Sequence, residues 1–197
     1  MKKSLLTYSL LFMTTLIFSQ ELKISVAPTL SNVHFYNYFI GGTYGQPRIG
    51  VNTNIDYLFI TNKLVEFGFG LGFQNSHVKL VTPHPELSGY SFGTEGVNLL
   101  SINLRSAINL NKDFYITLVP SLDLQIKPND LQKLNNQTGI GLSLGIGNNV
   151  KLNETVSLNI EPRLWIHNLI PLESVNHPYR LTTAAINLGL VFGQKND

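Results

Sequence analysis

The chain contains no cysteine among its 197 residues. It therefore has no disulfide, no thiol nucleophile and no thiolate metal ligand, and it lacks the residue that carries the lipid of a lipoprotein. After residue 20, no apolar run approaches the roughly 20 residues that a transmembrane helix needs. Any membrane span in this part of the chain must therefore be built from strands.

The first 20 residues have the composition of a secretion signal. Lys2 and Lys3 precede a mostly apolar stretch, 5–18, and Ser19 provides a small residue near a cleavage site. We expect cleavage within 18–21; a membrane anchor helix is the alternative, but the stretch is short for one. The full chain has 14 basic and 12 acidic residues, so removal of the two lysines leaves a neutral chain. A neutral chain lacks the basic face expected of a nucleic-acid-binding protein.

From residue 21 onward, large apolar residues alternate with small or polar ones. In the segment 65–73, VEFGFGLGF, every odd position is large and apolar and every even position is Gly or Glu. Successive side chains of a strand point to opposite faces, so one face of this segment is apolar and the other is bare or charged. Repetition of the pattern behind a secretion signal predicts a barrel with lipid outside and a polar interior.

The alternation predicts an all-β fold, an eight-stranded antiparallel up-and-down transmembrane β-barrel. Three connections are short and contain Asn or Asp, which suit tight turns, whereas four connections are long. Outer membrane barrels place short turns in the periplasm and long loops outside the cell. We therefore expect a signal peptide over 1–20 and one barrel domain over 21–197. The predicted strands are 22–30, 47–59, 64–75, 96–108, 114–126, 138–148, 155–167 and 181–193.

Two prolines lie on the outward face of this predicted register. Pro120 falls in the fifth strand and Pro162 in the seventh. Proline lacks the N–H group that a strand donates to its neighbour. We therefore expect irregular pairing at both positions.

The inward face of the predicted strands carries charges of both signs. An eight-stranded barrel has room for little beyond its own side chains, and an unpaired buried charge is costly. We expect salt bridges to fill the lumen; an ion path or proton relay is the alternative. The predicted network consists of Lys23, of Arg105 paired with Asp56 or Glu66, and of Arg163 paired with Asp123 or Glu161.

The sequence contains no clear catalytic or metal-binding motif. His34, His77, His84, His167 and His177 show no ligand spacing on one element, so we expect no metal and no cofactor. Lipid A deacylases, which are barrel enzymes, use a His and a Ser two positions apart on a strand. Here Ser76 and His77 are adjacent, so on a strand they would point to opposite faces. We therefore predict a protein that is not an enzyme.

The long connections are rich in aromatic residues. Loops carry function disproportionately, and exposed apolar groups mark contact surfaces. We expect outer membrane lipid along the wall and any envelope or extracellular protein partner at the wall or at the two longest connections, 31–46 and 76–95. The aromatic residues can equally cap the barrel mouth. The residues expected to contact a partner are Phe35, Tyr36, Tyr38, Tyr44 and Tyr90.

Three segments resemble a known class of barrels: FGFGLGF at 67–73, the turn LNKDF at 110–114 and LGLVF at 188–192. The chain resembles the OmpA/OmpX-like eight-stranded barrels, and more closely the outer membrane β-barrel domain proteins common in Bacteroidota. The resemblance implies a fold and a location rather than an activity.

These observations favour a non-enzymatic outer membrane barrel with a closed lumen. We expect a structural or interaction protein, including the role of accessory subunit in a larger envelope complex. One alternative is a periplasmic lipocalin-like barrel that binds a small molecule, which requires the apolar face inside. The other is a lipid-modifying barrel enzyme, which requires a catalytic group at the lipid-facing rim.

Overall fold

Eight antiparallel strands form a closed barrel in the computed structural model. Neighbours in sequence are neighbours in the barrel, and β8 pairs with β1 to close it, which confirms the predicted fold. The part of the chain that the structure describes, 21–34, 44–61, 64–81, 93–111, 113–126, 134–173 and 179–193, contains no helix long and apolar enough to cross a bilayer. The strands are β1 (Glu21–His34), β2 (Tyr44–Thr61), β3 (Val65–Val81), β4 (Thr94–Asn109), β5 (Phe114–Gln125), β6 (Gly139–Lys151), β7 (Val156–Pro171) and β8 (Arg180–Phe192).

The outer wall of the barrel is apolar, as the alternation predicts. On β4, Ile102 and Leu104 are 45% and 63% exposed, whereas the intervening Asn103 and the following Arg105 are buried. The other strands repeat this arrangement. A continuous exposed apolar surface of this kind marks contact with another apolar phase, because water would make it unfavourable.

The polarity pattern reverses toward one end of the barrel. We call this the loop end, because the longer connections lie there, and the opposite end the turn end. On β3, Phe73 is exposed and Gln74 is buried, but four residues further along Val78 is buried while His77 and Lys79 are partly exposed. The pairing of β3 with β4 is continuous, so no shift of register causes this change. At the loop end the apolar side chains lie inside and the polar ones outside.

This reversal explains why β1 and β3 are longer than predicted. β1 continues to His34 rather than ending at residue 30, and β3 continues to Val81 rather than to residue 75. The predicted boundaries depended on apolar side chains facing outward. Beyond the apolar wall that criterion fails, although the strand and its alternation continue.

The two longest connections are correspondingly shorter than predicted. The intervals between strands are 35–43 instead of 31–46 and 82–93 instead of 76–95. Tyr44, which was expected in a loop, is the first residue of β2. Its expected position in a loop is therefore wrong, because β2 begins earlier than the apolar outward pattern indicates, whereas its contact with a partner stays a prediction.

Each outward proline interrupts the hydrogen-bonded ladder on one side. The pairing of β4 with β5 skips the positions around Pro120, and that of β6 with β7 skips those around Pro162. Pro28 lies at a similar interruption between β1 and β8. On its other side each proline keeps a strand partner. The predicted irregular pairing at Pro120 and Pro162 is confirmed, and the missing N–H group explains it.

Two of the short turns share one geometry. The Asn111 side-chain oxygen accepts hydrogen bonds from the backbone N–H groups two and three residues further on, at 2.9 and 2.8 Å. Asn153 does the same at 2.9 and 2.7 Å. Asparagine favours turns because its side chain can bond the backbone in this way. These residues fix the tight reversals at the turn end.

A charged residue in the middle of the apolar wall tests whether lipid covers it. Leu104→Arg and Leu118→Arg should each lower the free energy of unfolding in lipid by about 2–4 kcal/mol, because the bilayer centre excludes charge. Leu110→Arg, at a turn, is the matched control and should cost about 0–1 kcal/mol, as at an interface. Denaturant titration of the lipid-reconstituted barrel measures all three. Equal costs at the wall and at the turn would contradict a lipid-facing wall.

Candidate functional site

The Glu161 carboxylate lies at the centre of a buried group of charges in the lumen. It is fully buried, and the Lys23 ammonium donates to Oε2 at 2.6 Å. Arg105 Nη1 donates to the same oxygen at 3.1 Å. Arg163 donates to Oε1 through Nε at 2.8 Å and also through Nη2. Three cations from three strands therefore converge on one carboxylate.

Two hydroxyl groups complete the coordination of this carboxylate. Tyr115 donates its hydroxyl to Glu161 Oε2 at 3.0 Å, and Thr117 donates to Oε1 at 2.9 Å. The Tyr115 ring lies 5.2 Å from the Arg105 guanidinium carbon, within the range of a cation–π contact. Each carboxylate oxygen thus accepts several bonds, as a buried charge requires. We call Lys23, Arg105, Tyr115, Thr117, Glu161 and Arg163 the ion cluster.

Two further buried carboxylates balance the charge of the ion cluster. Asp56 and Glu66 are each 2% exposed. Asp56 is the strand partner of Lys23, directly opposite it on β2. With Glu161, these two anions equal the three cations in number. Glu21, at the start of β1, is a fourth buried carboxylate at the turn end. Charges of both signs therefore lie close together in this half of the lumen, which limits the cost of burying them.

The sequence predicted a correct partner for Arg163 but not the observed partner of Arg105. Arg163 contacts Glu161, which was one of its two expected partners. Arg105 also contacts Glu161, a partner the sequence did not assign to it. Gly68 is the strand partner of Arg105 and has no side chain to occupy the lumen. The long guanidinium side chain can therefore cross from β4 to β7.

Inward-facing glycines make the space that the ion cluster fills. A methyl group at Gly145 would lie 2.8 Å from Glu161 Oε1, and one at Gly147 would overlap the Tyr115 ring. Glycine is required at these positions because the opposite side chain occupies the volume of the missing Cβ. The interior is therefore packed, as expected for a barrel of eight strands.

Asp123 lies apart from the ion cluster. Its Oδ2 is 2.8 Å from His167 Nδ1, and Ser101 donates to its Oδ1 at 2.6 Å. His167 is 2% exposed and was not assigned to the lumen from sequence. His167 occupies an odd-numbered position on β7, as Glu161 and Arg163 do. Because side chains alternate along a strand, the sequence could have placed His167 on the inward face.

An irregularity in β7 follows His167 immediately. The register with β6 shifts between Ile140 and Leu142. Asn168 has a positive φ of 52°, and both it and His167 are buried, although they are consecutive. Two consecutive inward side chains are the hallmark of a bulge, which re-aims side chains. This bulge directs Asn168 toward the loop end of the lumen, where it donates to Asn136 O at 3.2 Å.

Uncharged polar side chains fill the lumen between the ion cluster and the loop end. Ser31 Oγ lies 2.9 Å from Ser76 Oγ and 3.0 Å from Thr183 Oγ1. Gln74 Nε2 donates to the same two partners at 2.7 and 2.9 Å. These groups satisfy one another, as buried polar groups do. We call this layer the polar tier; it consists of Ser31, Asn52, Asn54, Gln74, Ser76, Asn103 and Thr183.

Apolar side chains close the loop end of the lumen. Most come from the parts of the strands where the polarity pattern is reversed. One, Leu134, comes from the connection between β5 and β6 and is 5% exposed. Sequence reasoning missed this layer because it assigned Val33, Val78, Leu80 and Leu134 to loops, and because it expected a polar interior along the predicted strands that contain Val97, Leu99 and Leu181. The mouth cluster consists of Val33, Val78, Leu80, Val97, Leu99, Leu134 and Leu181.

The residues considered for catalysis do not form a catalytic group. Ser76 is buried in the lumen, whereas His77 points to the outer face, as the adjacent spacing predicts. Within the described ranges, no group of three His, Asp or Glu side chains is placed to hold a metal ion.

Several sequence expectations fall outside the residues that the structure describes. The expected signal peptide, 1–20, is one of them. Only the backbone of Tyr44 is described. The other such residues are Phe35, Tyr36, Tyr38, His84, Tyr90 and His177.

Comparison with solved structures identifies the architecture. No protein-family model and no curated protein sequence matches the chain. Among the solved structures that match are three outer membrane proteins at 11–13% identity, with TM-scores of 0.53–0.55. The chain has the fold of the small eight-stranded outer membrane barrels.

The three similar structures cover nearly the whole barrel. Ail, the attachment invasion locus protein of Yersinia pestis, in complex with the heparin analogue sucrose octasulfate, has 13% identity and a TM-score of 0.53, covering 89% of this chain and 100% of its own. OprG of Pseudomonas aeruginosa has 12% identity and a TM-score of 0.53, with 90% and 97% covered. AlkL, solved in lipid bilayers, has 11% identity and a TM-score of 0.55, with 90% of each chain covered. At this level of identity, the similarity shows a shared fold and nothing about activity or ligands.

Removal of the central anion tests the energetic weight of the ion cluster. Glu161→Gln leaves Lys23, Arg105 and Arg163 without their shared carboxylate, and such a change at a buried ion pair costs about 3–5 kcal/mol. Glu154→Gln, at an exposed turn, is the matched control and should stay within about 0.5 kcal/mol of the parent. Denaturant unfolding in detergent measures both. A cost near zero for Glu161→Gln would contradict the central role of this carboxylate.

Addition of one methyl group tests the packing of the lumen. Gly147→Ala should lower the free energy of unfolding by about 1–3 kcal/mol, because the Tyr115 ring must move. Gly93→Ala is the control, since nothing lies within 4 Å of the added carbon. The same unfolding measurement applies. If the two variants are equally stable, the lumen is looser than the structure indicates.

Proposed function

We propose that this chain is a non-enzymatic outer membrane barrel with a closed lumen that serves as a structural or interaction protein. In this proposal residues 1–20 direct export and are removed, the turn end lies in the periplasm and the loop end faces outside. The observation that carries the proposal is the ion cluster, in which side chains from β1, β4, β5 and β7 meet on Glu161 across the barrel. A lumen filled in this way has no space for a continuous column of water.

The apolar wall and the similar structures support the location. Every strand presents large apolar side chains outward between the two ends. Ail, OprG and AlkL, which share the fold, are outer membrane proteins. A wall of this composition requires lipid or detergent, because exposed apolar surface of this extent is unfavourable in water.

The burial of the charges favours a structural plug over an ion path. Lys23 is 1% exposed and Arg105 is 2% exposed. An ion path or proton relay needs water or a mobile ion beside its charged groups. In the ion cluster the charged groups contact one another instead, and the polar tier and mouth cluster lie above them. The lumen is therefore blocked by layers of three different chemistries.

The interaction role rests on the surfaces that remain outside the lumen. A closed barrel can recognise a partner through its wall, its turns or its longer connections, and loops carry recognition most often. We propose Phe35, Tyr36, Tyr38, Tyr90 and Tyr44, the first residue of β2, as the contact residues. A partner protein of the envelope fits a role as an accessory subunit of a larger complex.

The two alternative functions find less support in the lumen. A lipocalin-like barrel needs an apolar cavity, but amide, hydroxyl and charged groups occupy the middle of this barrel, and the apolar mouth cluster is filled by its own side chains. A lipid-modifying enzyme needs paired catalytic groups at the rim, whereas Ser76 and His77 face opposite sides. Extraction separates the first alternative, because a lipocalin leaves the cell by osmotic shock and a membrane barrel requires detergent.

Electrical recording tests the closed lumen. The purified barrel in a planar bilayer should show no stable conductance, because the ion cluster fills the cross-section. Heat-modifiable migration of the same sample confirms that it is folded. A steady conductance of porin size would remove the plug and make the buried charges a selectivity filter.

Shortening of the two longest connections tests where a partner binds. Deletion within 35–43 and 82–92 should leave membrane insertion intact, because the strands end before these intervals, and should abolish retention of any partner that co-purifies in mild detergent. Replacement of the turn at 62–63 is the control and should retain the partner. If the loop-shortened barrel keeps its partner, contact runs through the wall or the periplasmic rim instead.

A further inference from the structure

The last residues before β6, 134–138, place one side chain in the mouth of the barrel. Leu134 is 5% exposed and packs in the mouth cluster. The other members of that cluster lie on β1, β3, β4 and β8. Leu134 is thus the residue of the mouth cluster that comes from a connection rather than from a strand.

Gln137 holds this segment in place. It is 1% exposed; its side-chain oxygen accepts from the Leu181 N–H at 3.0 Å, and its amide donates to Tyr179 O at 3.0 Å. The Gln137 backbone N–H donates to the Gln125 side-chain oxygen at 2.7 Å. The segment 134–138 is therefore tied to the start of β8 and the end of β5. A second tie is the bond from the Asn168 side chain to Asn136 O.

The same segment lies outside the pairing of β5 with β6. The pairing of β5 with β6 ends at Asp123 and Gly139. Residues 134–137 are held by side-chain contacts, and the Thr138 carbonyl also accepts a hydrogen bond from the Leu172 N–H at 3.3 Å. None of residues 134–138 belongs to the paired positions of β5 with β6 or of β6 with β7. Segments of this kind open locally at a lower free energy than the strands beneath them.

The layer directly beneath the mouth cluster suits contact with water. The polar tier carries hydroxyl and amide groups, and one inward position below Leu99 and Gln125 the Asp123 carboxylate pairs with His167. Below the mouth, Thr29 Oγ1 and His167 Nε2 are buried without a hydrogen-bond partner among the described residues. Buried polar atoms of this type are commonly satisfied by water, which needs a route into the lumen.

We propose that residues 134–138 form a lid that opens independently of the barrel wall and exposes the polar tier to the outside. The ion cluster blocks the turn end. Opening of the lid therefore exposes a cavity that is closed at its base (a cup), and it does not create a pore through the barrel. Leu134 fills the barrel mouth when the lid is closed, and the hydrogen bonds of Gln137 hold the lid closed. The inference rests on the proposed closed lumen, since the cup needs a sealed base.

The absence of cysteine makes the lid directly testable. Ser31→Cys places a single thiol in the polar tier, and a charged methanethiosulfonate reagent reports whether water reaches it in the folded barrel. With the lid intact the thiol should react slowly. Gln137→Ala or Leu134→Ser should make it react about tenfold faster, because loss of a buried partner shifts a local opening equilibrium by about that factor.

Two reference thiols distinguish lid opening from general loosening. Thr94→Cys, at an exposed position, should react rapidly in every background, and Thr117→Cys, in the ion cluster, should stay protected in all of them. Asn153→Ala, at the opposite end, should leave the Ser31→Cys rate unchanged. Heat-modifiable migration shows that each variant is folded.

Specific outcomes would overturn the lid. If Ser31→Cys reacts at the same rate with and without the lid substitutions, the segment is not the seal. If Thr117→Cys accelerates together with Ser31→Cys, the whole barrel opens and no separate lid exists. Conductance through the lid variants would instead contradict the closed base, and with it the proposed function, while the lid itself would stand.

Discussion

The Glu161 carboxylate joins parts of the barrel that hydrogen bonds between neighbouring strands cannot join. A ladder connects each strand only to its two neighbours, but Lys23, Arg105 and Tyr115 reach this one group from β1, β4 and β5. Such a group is tolerated in the interior only when every oxygen has donors. The glycines opposite it, the close grouping of charges of both signs and the packed lumen all follow from that requirement.

The same alternation of inward and outward side chains continues along a strand through two different environments. In the apolar wall, the inward positions are polar because lipid covers the outward ones. Beyond the wall, Val78 and Leu80 take the inward positions and Lys79 the outward one, without a change of register. The loop end is thus built as a small water-soluble barrel with its own apolar core, continuous with a wall that requires an apolar surround.

The sequence predicted the features that depend on the alternation of side chains along a strand. It did not predict the contacts that depend on how the sheet curves and closes. All eight strands and the burial of Lys23 and Arg105 follow from alternation, and the irregular ladder at Pro162 follows from its missing N–H group. Arg105 reaches Glu161 because the sheet closes and places β4 across from β7, which no local pattern specifies. His167 had the correct parity but was considered only as a metal ligand. Leu134 lies in a connection without periodicity, so nothing in the sequence placed it in the mouth cluster.

Closure through β1 and β8 imposes an order on folding. Seven of the eight strand pairs join neighbours in the chain, and two of their turns are fixed locally by Asn111 and Asn153. The eighth pair brings Leu22 against Phe192, almost the full length of the described chain apart. Its loop-closure entropy is repaid only once the intervening hairpins have formed. Until then both edge strands expose unpaired backbone groups, so this chain needs protection from aggregation throughout its assembly.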